Sequence, residues 1–163
     1  MRIVWASLLI GLVLTGCAHP PQAATPASAT FAPPTEWQGR LYVTVLSDPP
    51  TSLGARFLLQ GNARNGSLDL YSPLGTTFAA LQWSPFNAQL DDGRQSQRFD
   101  SLAALTEKVT GTALPMAAIF EWLQGQEVAI AGWQTDLSAA QQGNFQARRL
   151  SPQPEVTLRI QLD

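Results

Sequence analysis

The tetrapeptide Ser72-Pro73-Leu74-Gly75 lies between two stretches in which apolar and polar residues alternate. Leu68 and Leu70 share one face of the stretch before it. Leu81 and Trp83 share one face of the stretch after it. Alternation on both sides of a Pro/Gly turn is typical of a β-hairpin, because proline presets φ and glycine closes the turn without steric cost. The sequence therefore predicts two antiparallel strands joined at residues 72–75.

This turn forces Leu74 to the tip of the hairpin, where water normally meets the side chain. Leaving a leucine exposed forgoes about 1.5–3 kcal/mol of burial. The simpler interpretation is a tip that folds back on the domain, or a single surface leucine of the kind most proteins carry. The functional interpretation is an apolar residue held out for a membrane or an acylated partner.

Similar alternation continues through about six predicted strands up to Phe99, and helical spacing then replaces it. Asp100 or Ser101 is suited to cap a helix that ends at Gly111, and a second helix begins near Pro115. Three more strands are predicted at residues 128–137, 145–150 and 156–162. Strands, two helices and strands again indicate an α+β fold, a curled antiparallel sheet with helices packed on one side.

The amino-acid composition limits the classes of partner that this chain can bind. The chain has 163 residues, of which 45% are hydrophobic and only 13% charged, so one domain with a sizeable core is expected. Lysine and arginine number 10 against 12 acidic residues, and the closest thing to a basic patch is Arg148-Arg149. Nucleic-acid binding and electrostatic docking on anionic lipid are therefore disfavoured.

The first residues have the features of a lipoprotein signal peptide, predicted to span 1–16. Arg2 precedes an apolar run, and Leu-Thr-Gly-Cys at 14–17 resembles the bacterial lipobox. Cys17 is the only cysteine, so an intramolecular disulfide is impossible and acylation of this residue accounts for it. The alternative is a leader whose apolar region merely happens to end in a cysteine.

Residues 17–35 are predicted to be an acylated cysteine followed by a Pro/Ala-rich tether. Five prolines among Ala, Ser, Thr and Gln cannot bury a core and favour an extended spacer. His19, the only histidine, lies in this segment without neighbouring ligands, so neither a metal nor a catalytic role is expected. Ala18 after the cysteine resembles the enterobacterial sorting pattern for the outer membrane, with the domain facing the periplasm.

Residues 36–163 resemble the LolB family of outer-membrane lipoprotein receptors. The motifs that carry the resemblance are, in chain order, Gly39-Arg40, Phe57, Leu68-x-Leu70, Ser72-Pro73-Leu74-Gly75, Ala88-Gln89-Leu90, Phe99-Asp100, Thr110-Gly111, Leu114-Pro115, Trp122-Leu123-x-Gly125 and Gly132-Trp133. The family implies a half-open β-barrel capped by helices around an apolar cavity. It also implies that acylated lipoproteins arrive from a soluble periplasmic chaperone, LolA, and are inserted into the outer membrane.

The resemblance assigns roles to particular residues. Leu74, flanked by Pro73 and Gly75, matches the family's protruding loop, in which a leucine is implicated in release of the cargo. Acyl chains are expected to contact the inward alternates of the strands and two residues of the helical lid. These candidates are Leu41, Val43, Phe57, Leu59, Leu68, Leu70, Leu81, Trp83, Ile119 and Leu123. No cofactor is expected, and the chain is expected to be a monomer.

Two other classes of function remain open on the sequence. An enzyme is disfavoured because no Ser–His or Cys–His pair is available to activate a nucleophile, although a hydrolase with two carboxylates stays possible. The other is an envelope lipoprotein that binds a hydrophobic ligand or a protein partner without transferring it. Residues 126–131 keep this second interpretation open, because the connection is shorter than is typical of the family.

Overall fold

The computed structural model describes residues 35–163, which form one antiparallel sheet and a helical layer. The strands are β1 (Glu36–Val45), β2 (Thr51–Gly61), β3 (Gly66–Tyr71), β4 (Thr77–Ser84), β5 (Asn87–Asp91), β6 (Ser96–Phe99), β7 (Trp133–Asp136), β8 (Asn144–Arg149) and β9 (Val156–Leu162). The helices are α1 (Leu102–Thr110) and α2 (Met116–Leu123), and a short 3-10 helix covers Ala140–Gln142. The predicted signal peptide, Cys17 and almost all of the predicted tether lie outside the described residues.

The nine strands follow the order β6-β5-β4-β3-β2-β1-β9-β8-β7. Every neighbouring pair is antiparallel, and strand β1 joins the first six strands to the last three by pairing with β9. The sheet does not close into a barrel, so the four-residue strands β6 and β7 form its two edges. The predicted α+β fold with a curled, open antiparallel sheet is confirmed.

The core forms where the apolar face of the sheet meets the two helices. Buried and exposed residues alternate along β1 and β4, as a half-buried strand requires. The ring of Phe120 on α2 packs edge-on against Trp37 of β1, with 5.4 Å between ring centroids. Trp122, also on α2, packs against Phe145 of β8 at 6.2 Å. Helix α2 therefore contacts both halves of the sheet.

Helix α1 has the ends that the sequence predicts. The Ser101 hydroxyl accepts a hydrogen bond from the Ala104 N–H at 3.1 Å and caps the first turn. Gly111 follows the last turn with φ of +78°, the left-handed conformation that glycine adopts without a Cβ penalty.

None of the helices within residues 35–163 is long and apolar enough to cross a membrane.

The predicted strand at 128–137 is wrong in its first half, because β7 begins only at Trp133. The Val128 carbonyl accepts a hydrogen bond from the Trp122 indole N–H at 3.3 Å, and the Ile130 carbonyl accepts one from the Trp133 N–H at 3.0 Å. One carbonyl is bonded to a side chain of α2 and the other closes a turn, so neither takes part in a strand ladder.

Candidate functional site

A small apolar cavity lies between the sheet and the two helices. Its walls are Leu41, Phe57, Leu59, Leu68, Leu70, Leu81, Leu158 and Ile160 of the sheet, with Thr106, Val109, Thr110, Leu114, Met116 and Ile119 of the helical layer. Only two of these side chains are polar, and both hydroxyls are hydrogen-bonded within the helical layer. The cavity therefore offers apolar contacts and no charged group.

The cavity is closed in this conformation. Its volume is about 30 Å³, which is close to the share of one water molecule in the liquid. A cavity that takes up benzene has about 150 Å³. No alkyl chain longer than a few carbons fits unless the helical layer moves away from the sheet.

The segment between the helices is tied to α1 by two buried threonines. The Thr106 hydroxyl accepts a hydrogen bond from the Leu114 N–H at 3.0 Å. The Thr110 hydroxyl lies 2.9 Å from the carbonyls of both Thr106 and Thr112, so its single proton is shared between them. We call residues 102–123, with α1, the connecting segment and α2, the lid.

The predicted acyl-chain residues are placed as follows. The eight strand residues, Leu41, Val43, Phe57, Leu59, Leu68, Leu70, Leu81 and Trp83, are all buried. Ile119 is buried and lines the cavity, whereas Leu123 is half-buried at the margin of the core. Val43 and Trp83 are not among the cavity walls.

The position of Trp83 has a clear cause. Its ring faces Phe120 with 6.3 Å between centroids, and its indole N–H donates to the Asn62 carbonyl at 3.0 Å. Sequence reasoning left out Leu114, Leu158 and Ile160 as cavity walls. Period-two alternation in the last strand was the signal for the two β9 residues, and no periodic signal marks Leu114.

The loop between β3 and β4 presents Leu74 to solvent. The Ser72 N–H donates to the Thr76 carbonyl at 2.9 Å, and the Gly75 N–H donates to the Ser72 carbonyl at 2.9 Å. The Ser72 hydroxyl also accepts a hydrogen bond from the Thr76 N–H at 3.3 Å. These bonds hold the turn closed while the Leu74 side chain is 94% exposed. The tip does not fold back on the domain.

A second apolar side chain is even more exposed, and sequence reasoning missed it. Phe86 forms the turn between β4 and β5 together with Pro85 and is 98% exposed. Because strand β4 lies between the two turns, Phe86 and Leu74 occupy opposite ends of the sheet. The sequence signal was weak, since Pro-Phe lacks the glycine or asparagine that marks a two-residue hairpin.

Two carboxyl groups among residues 35–163 have lowered pKa values, and both accept hydrogen bonds from nearby residues. Within residues 35–163 no three His, Cys, Asp or Glu side chains lie close enough together to hold a metal ion. The pKa of the Asp92 carboxyl is lowered because the Gln95 and Arg94 N–H groups donate to it in the β5–β6 turn. Ser138 likewise lowers the pKa of the Asp136 carboxyl by hydrogen bonding. Both carboxylates stabilise turns.

The chain has clear relatives. A family model described as outer membrane lipoprotein LolB matches residues 35–157. A protein of Cupriavidus taiwanensis named outer-membrane lipoprotein LolB is 33% identical over 129 residues, which cover 77% of this chain and 63% of the relative. A Bordetella petrii protein of the same name is 30% identical over 126 residues, covering 75% of this chain and 61% of the relative.

A third relative of that name, from Dechloromonas aromatica, is 31% identical over 129 residues, covering 77% of this chain and 67% of the relative. In the first two comparisons the matched part spans less than two thirds of the relative's own length. The matched residues include strands β1 to β8, both helices and the Leu74 loop, and they end at the start of β9.

Proposed function

Because this chain belongs to the family of outer membrane lipoprotein LolB, we propose that it is a lipid-anchored receptor for lipoproteins at the outer membrane. In this role it accepts an acylated lipoprotein from a periplasmic chaperone of the LolA type and inserts that cargo into the membrane. The anchor is the acylated Cys17, and the domain faces the periplasm. No enzymatic step and no cofactor are part of this proposal.

The anchor follows from the sequence of the first residues. One acyl chain gives only marginal binding to a bilayer, whereas two or more hold a protein firmly, since each buried methylene contributes about 0.8 kcal/mol. A lipoprotein cysteine with several chains therefore keeps the domain at the membrane. The tether of residues 18–35 then sets how far the domain moves from it.

Cargo acceptance requires the lid to open. The cavity walls are mostly apolar. An acyl chain that moves from the chaperone into this cavity therefore avoids water, where each exposed methylene costs about 0.8 kcal/mol. The volume of about 30 Å³ means that the chain enters only when the lid separates from the sheet. The driving force is the difference in the free energy of the acyl chain between the chaperone, the cavity of this domain and the bilayer, and no nucleotide is needed.

The observation that carries the proposal is the exposed Leu74 on a hydrogen-bonded turn. An exposed leucine on a hydrogen-bonded turn contributes nothing to storing a ligand inside the domain. The same leucine can enter a bilayer while cargo is inserted. The closed cavity is the feature that suits the alternative, an envelope lipoprotein that binds a partner without transfer. Family membership favours the receptor.

The test is a transfer assay with the mature Cys17→Ala chain, which has no anchor. It is mixed with a complex of LolA-type chaperone and acylated lipoprotein, the two proteins are separated, and the location of the cargo is measured. We expect the cargo on this chain. Cargo that stays on the chaperone, with the chain shown folded by circular dichroism, would overturn the receptor and leave the passive lipoprotein.

A further inference from the structure

Phe86 is the most exposed large apolar side chain of residues 35–163. It is held in place by a tight connection, since Ser84 and Asn87 form the last pair of the β4–β5 ladder and only Pro85 and Phe86 link them. The Phe86 N–H donates to the Ser84 hydroxyl at 3.4 Å. Proline fixes φ at the first turn position. The phenyl ring is therefore presented by a constrained turn.

The register of the sheet shows which end carries this ring. Glu36 pairs with Gln60, Gln60 pairs with Ser67, and Ser67 pairs with Gln82. Glu36 and Gln82 therefore lie level across four strands. The chain approaches Glu36 from the same end of the sheet toward which β4 continues from Gln82 to Phe86. Phe86 thus lies at the end where the tether enters the domain.

The length of the tether limits which end of the domain meets the membrane. Eighteen residues, 18–35, separate Cys17 from Glu36. As an extended polyproline spacer, a segment of this length spans up to about 56 Å. The eight residues of β4 alone span about 25 Å. Because the tether enters at the end with Phe86, this end lies nearest the anchor, whereas Leu74 meets the same bilayer only when the tether also spans the length of the sheet beside the domain.

From this placement we propose that Phe86 inserts into the lipid leaflet that holds the acylated Cys17 and gives the domain a resting orientation. This inference rests on the proposed lipid anchor. In the resting orientation Leu74 points away from that membrane, and the domain turns over, with its tether extended, before Leu74 reaches lipid. The two exposed residues thus act at different stages.

The surroundings of Phe86 fit lipid better than a protein. Arg98 and Asp100 border the same open depression, so the local charge is balanced and the phenyl ring dominates the contact. A stable protein interface buries roughly 800 Å² on each partner, which a single side chain on a narrow turn does not offer. An apolar ring beside polar groups is the arrangement found at membrane interfaces.

The experiment uses the acylated mature protein in vesicles of phosphatidylethanolamine and phosphatidylglycerol. Asn87→Cys introduces the only free thiol, because Cys17 is acylated, and carries an environment-sensitive fluorophore beside the intact Phe86. We expect a blue shift and severalfold stronger quenching by spin-labelled lipid than for the same fluorophore at Gln82→Cys. Adding Phe86→Ser to the Asn87→Cys protein should reduce the quenching to the level found at position 82.

Two other fluorescence results overturn the inference. Equal, weak quenching at positions 82 and 87 means that the turn stays in water, and a spectral response only to added chaperone or to protein concentration identifies a protein contact instead. The same vesicles are assayed for cargo acceptance. Acceptance without quenching contradicts the Phe86 contact alone, whereas quenching without acceptance contradicts the receptor alone. A chain that does not float with the vesicles contradicts the lipid anchor and the Phe86 contact that rests on it, whereas the transfer assay with the Cys17→Ala chain tests cargo acceptance separately.

Discussion

The Thr106 hydroxyl accepts a hydrogen bond from the backbone N–H of Leu114 at 3.0 Å, across the segment that joins the two helices. Thr106 is 1% exposed and is surrounded by apolar cavity walls. Buried polar groups in such surroundings are costly unless they are paired. The pair therefore fixes the connecting segment to α1, and we expect the lid to move as one piece.

Replacing Thr106 by valine should weaken this attachment. Valine has nearly the same shape but leaves the Leu114 N–H without its acceptor, so we expect a loss of about 1–3 kcal/mol in the free energy of unfolding, measured in urea. Amide exchange at Leu114 should accelerate more than exchange in β1. The control is Thr77→Val at the exposed first position of β4, expected within about 0.5 kcal/mol of the unsubstituted chain. Equal effects of the two changes would contradict the attachment.

A disulfide between positions 51 and 111 should lock the lid. A Cβ built on Gly111 lies 3.9 Å from the Thr51 Cβ, which is within the range that disulfides require. With Thr51→Cys and Gly111→Cys in the Cys17→Ala chain, we expect the oxidised protein to refuse cargo and the reduced protein to accept it.

The reduced form is the matched control for that experiment, because it carries the same substitutions. Cysteine at position 111 adopts φ of +78° with difficulty, at a cost of about 1–2 kcal/mol, and Gly111→Cys alone measures this contribution. Equal acceptance in both redox states would show that cargo enters without separation of this part of the lid.

Changing Leu74 to glutamate should abolish deposition of cargo and leave its acceptance unchanged. The side chain is almost fully exposed, so the free energy of unfolding should change by less than about 0.5 kcal/mol. The readout is the fraction of cargo moved from this chain into vesicles. Thr76→Glu places the same charge two residues away and should deposit normally. Normal deposition by the Leu74→Glu chain would contradict the role of the loop.

Changing Gly75 to alanine should disturb the same loop although its leucine is intact. Gly75 has φ of +81°, and a Cβ at this position meets no atom within 4 Å, so only the backbone conformation opposes the change. We expect a loss of about 1–2 kcal/mol in stability and slower deposition. Asparagine tolerates this conformation better, so Gly75→Asn should retain most of both. If alanine and asparagine behave alike, the conformation of this residue is unimportant.

The β5–β6 turn should loosen in acid. Backbone N–H groups of Gln95 and Arg94 favour the ionised Asp92, so the pKa of its carboxyl is lower in the folded than in the unfolded chain. The stabilisation is complete above the ordinary value of 3.8 and is lost as pH falls through the lower folded-state value. The Gln95 amide proton shift, followed by NMR, should show a step with a midpoint below 3.8. Asp92→Asn should remove this step.

The elements with strong local signals were predictable, and those that depend on tertiary contacts were not. Alternation around the Ser72-Pro73-Leu74-Gly75 turn and the cap residues Ser101 and Gly111 determine local structure, and the strands and α1 form there. The false strand start at Val128 arose because its carbonyl accepts a hydrogen bond from the Trp122 indole N–H of the preceding helix, which period-two alternation does not reveal.

The closed cavity and the exposure of Phe86 were also beyond the sequence. Alternation tells which face of a strand is buried, but the volume left between two layers depends on how all the facing side chains fill it. The Pro85-Phe86 connection has no common hairpin signature, so its tightness depends on the register of β4 and β5.

The pairing of β1 with β9 has a consequence for how the chain reaches this structure. Their ladder runs from Gly39 with Leu162 to Val45 with Val156, so residues more than one hundred positions apart must meet. Pairing between residues so far apart in sequence slows folding, because the entropy of closing a long loop is lost before the contact contributes any stability. Until β9 pairs with it, the ten-residue β1 has one open edge that invites aggregation. A chaperone that binds the incompletely folded chain would have β1 as its first target.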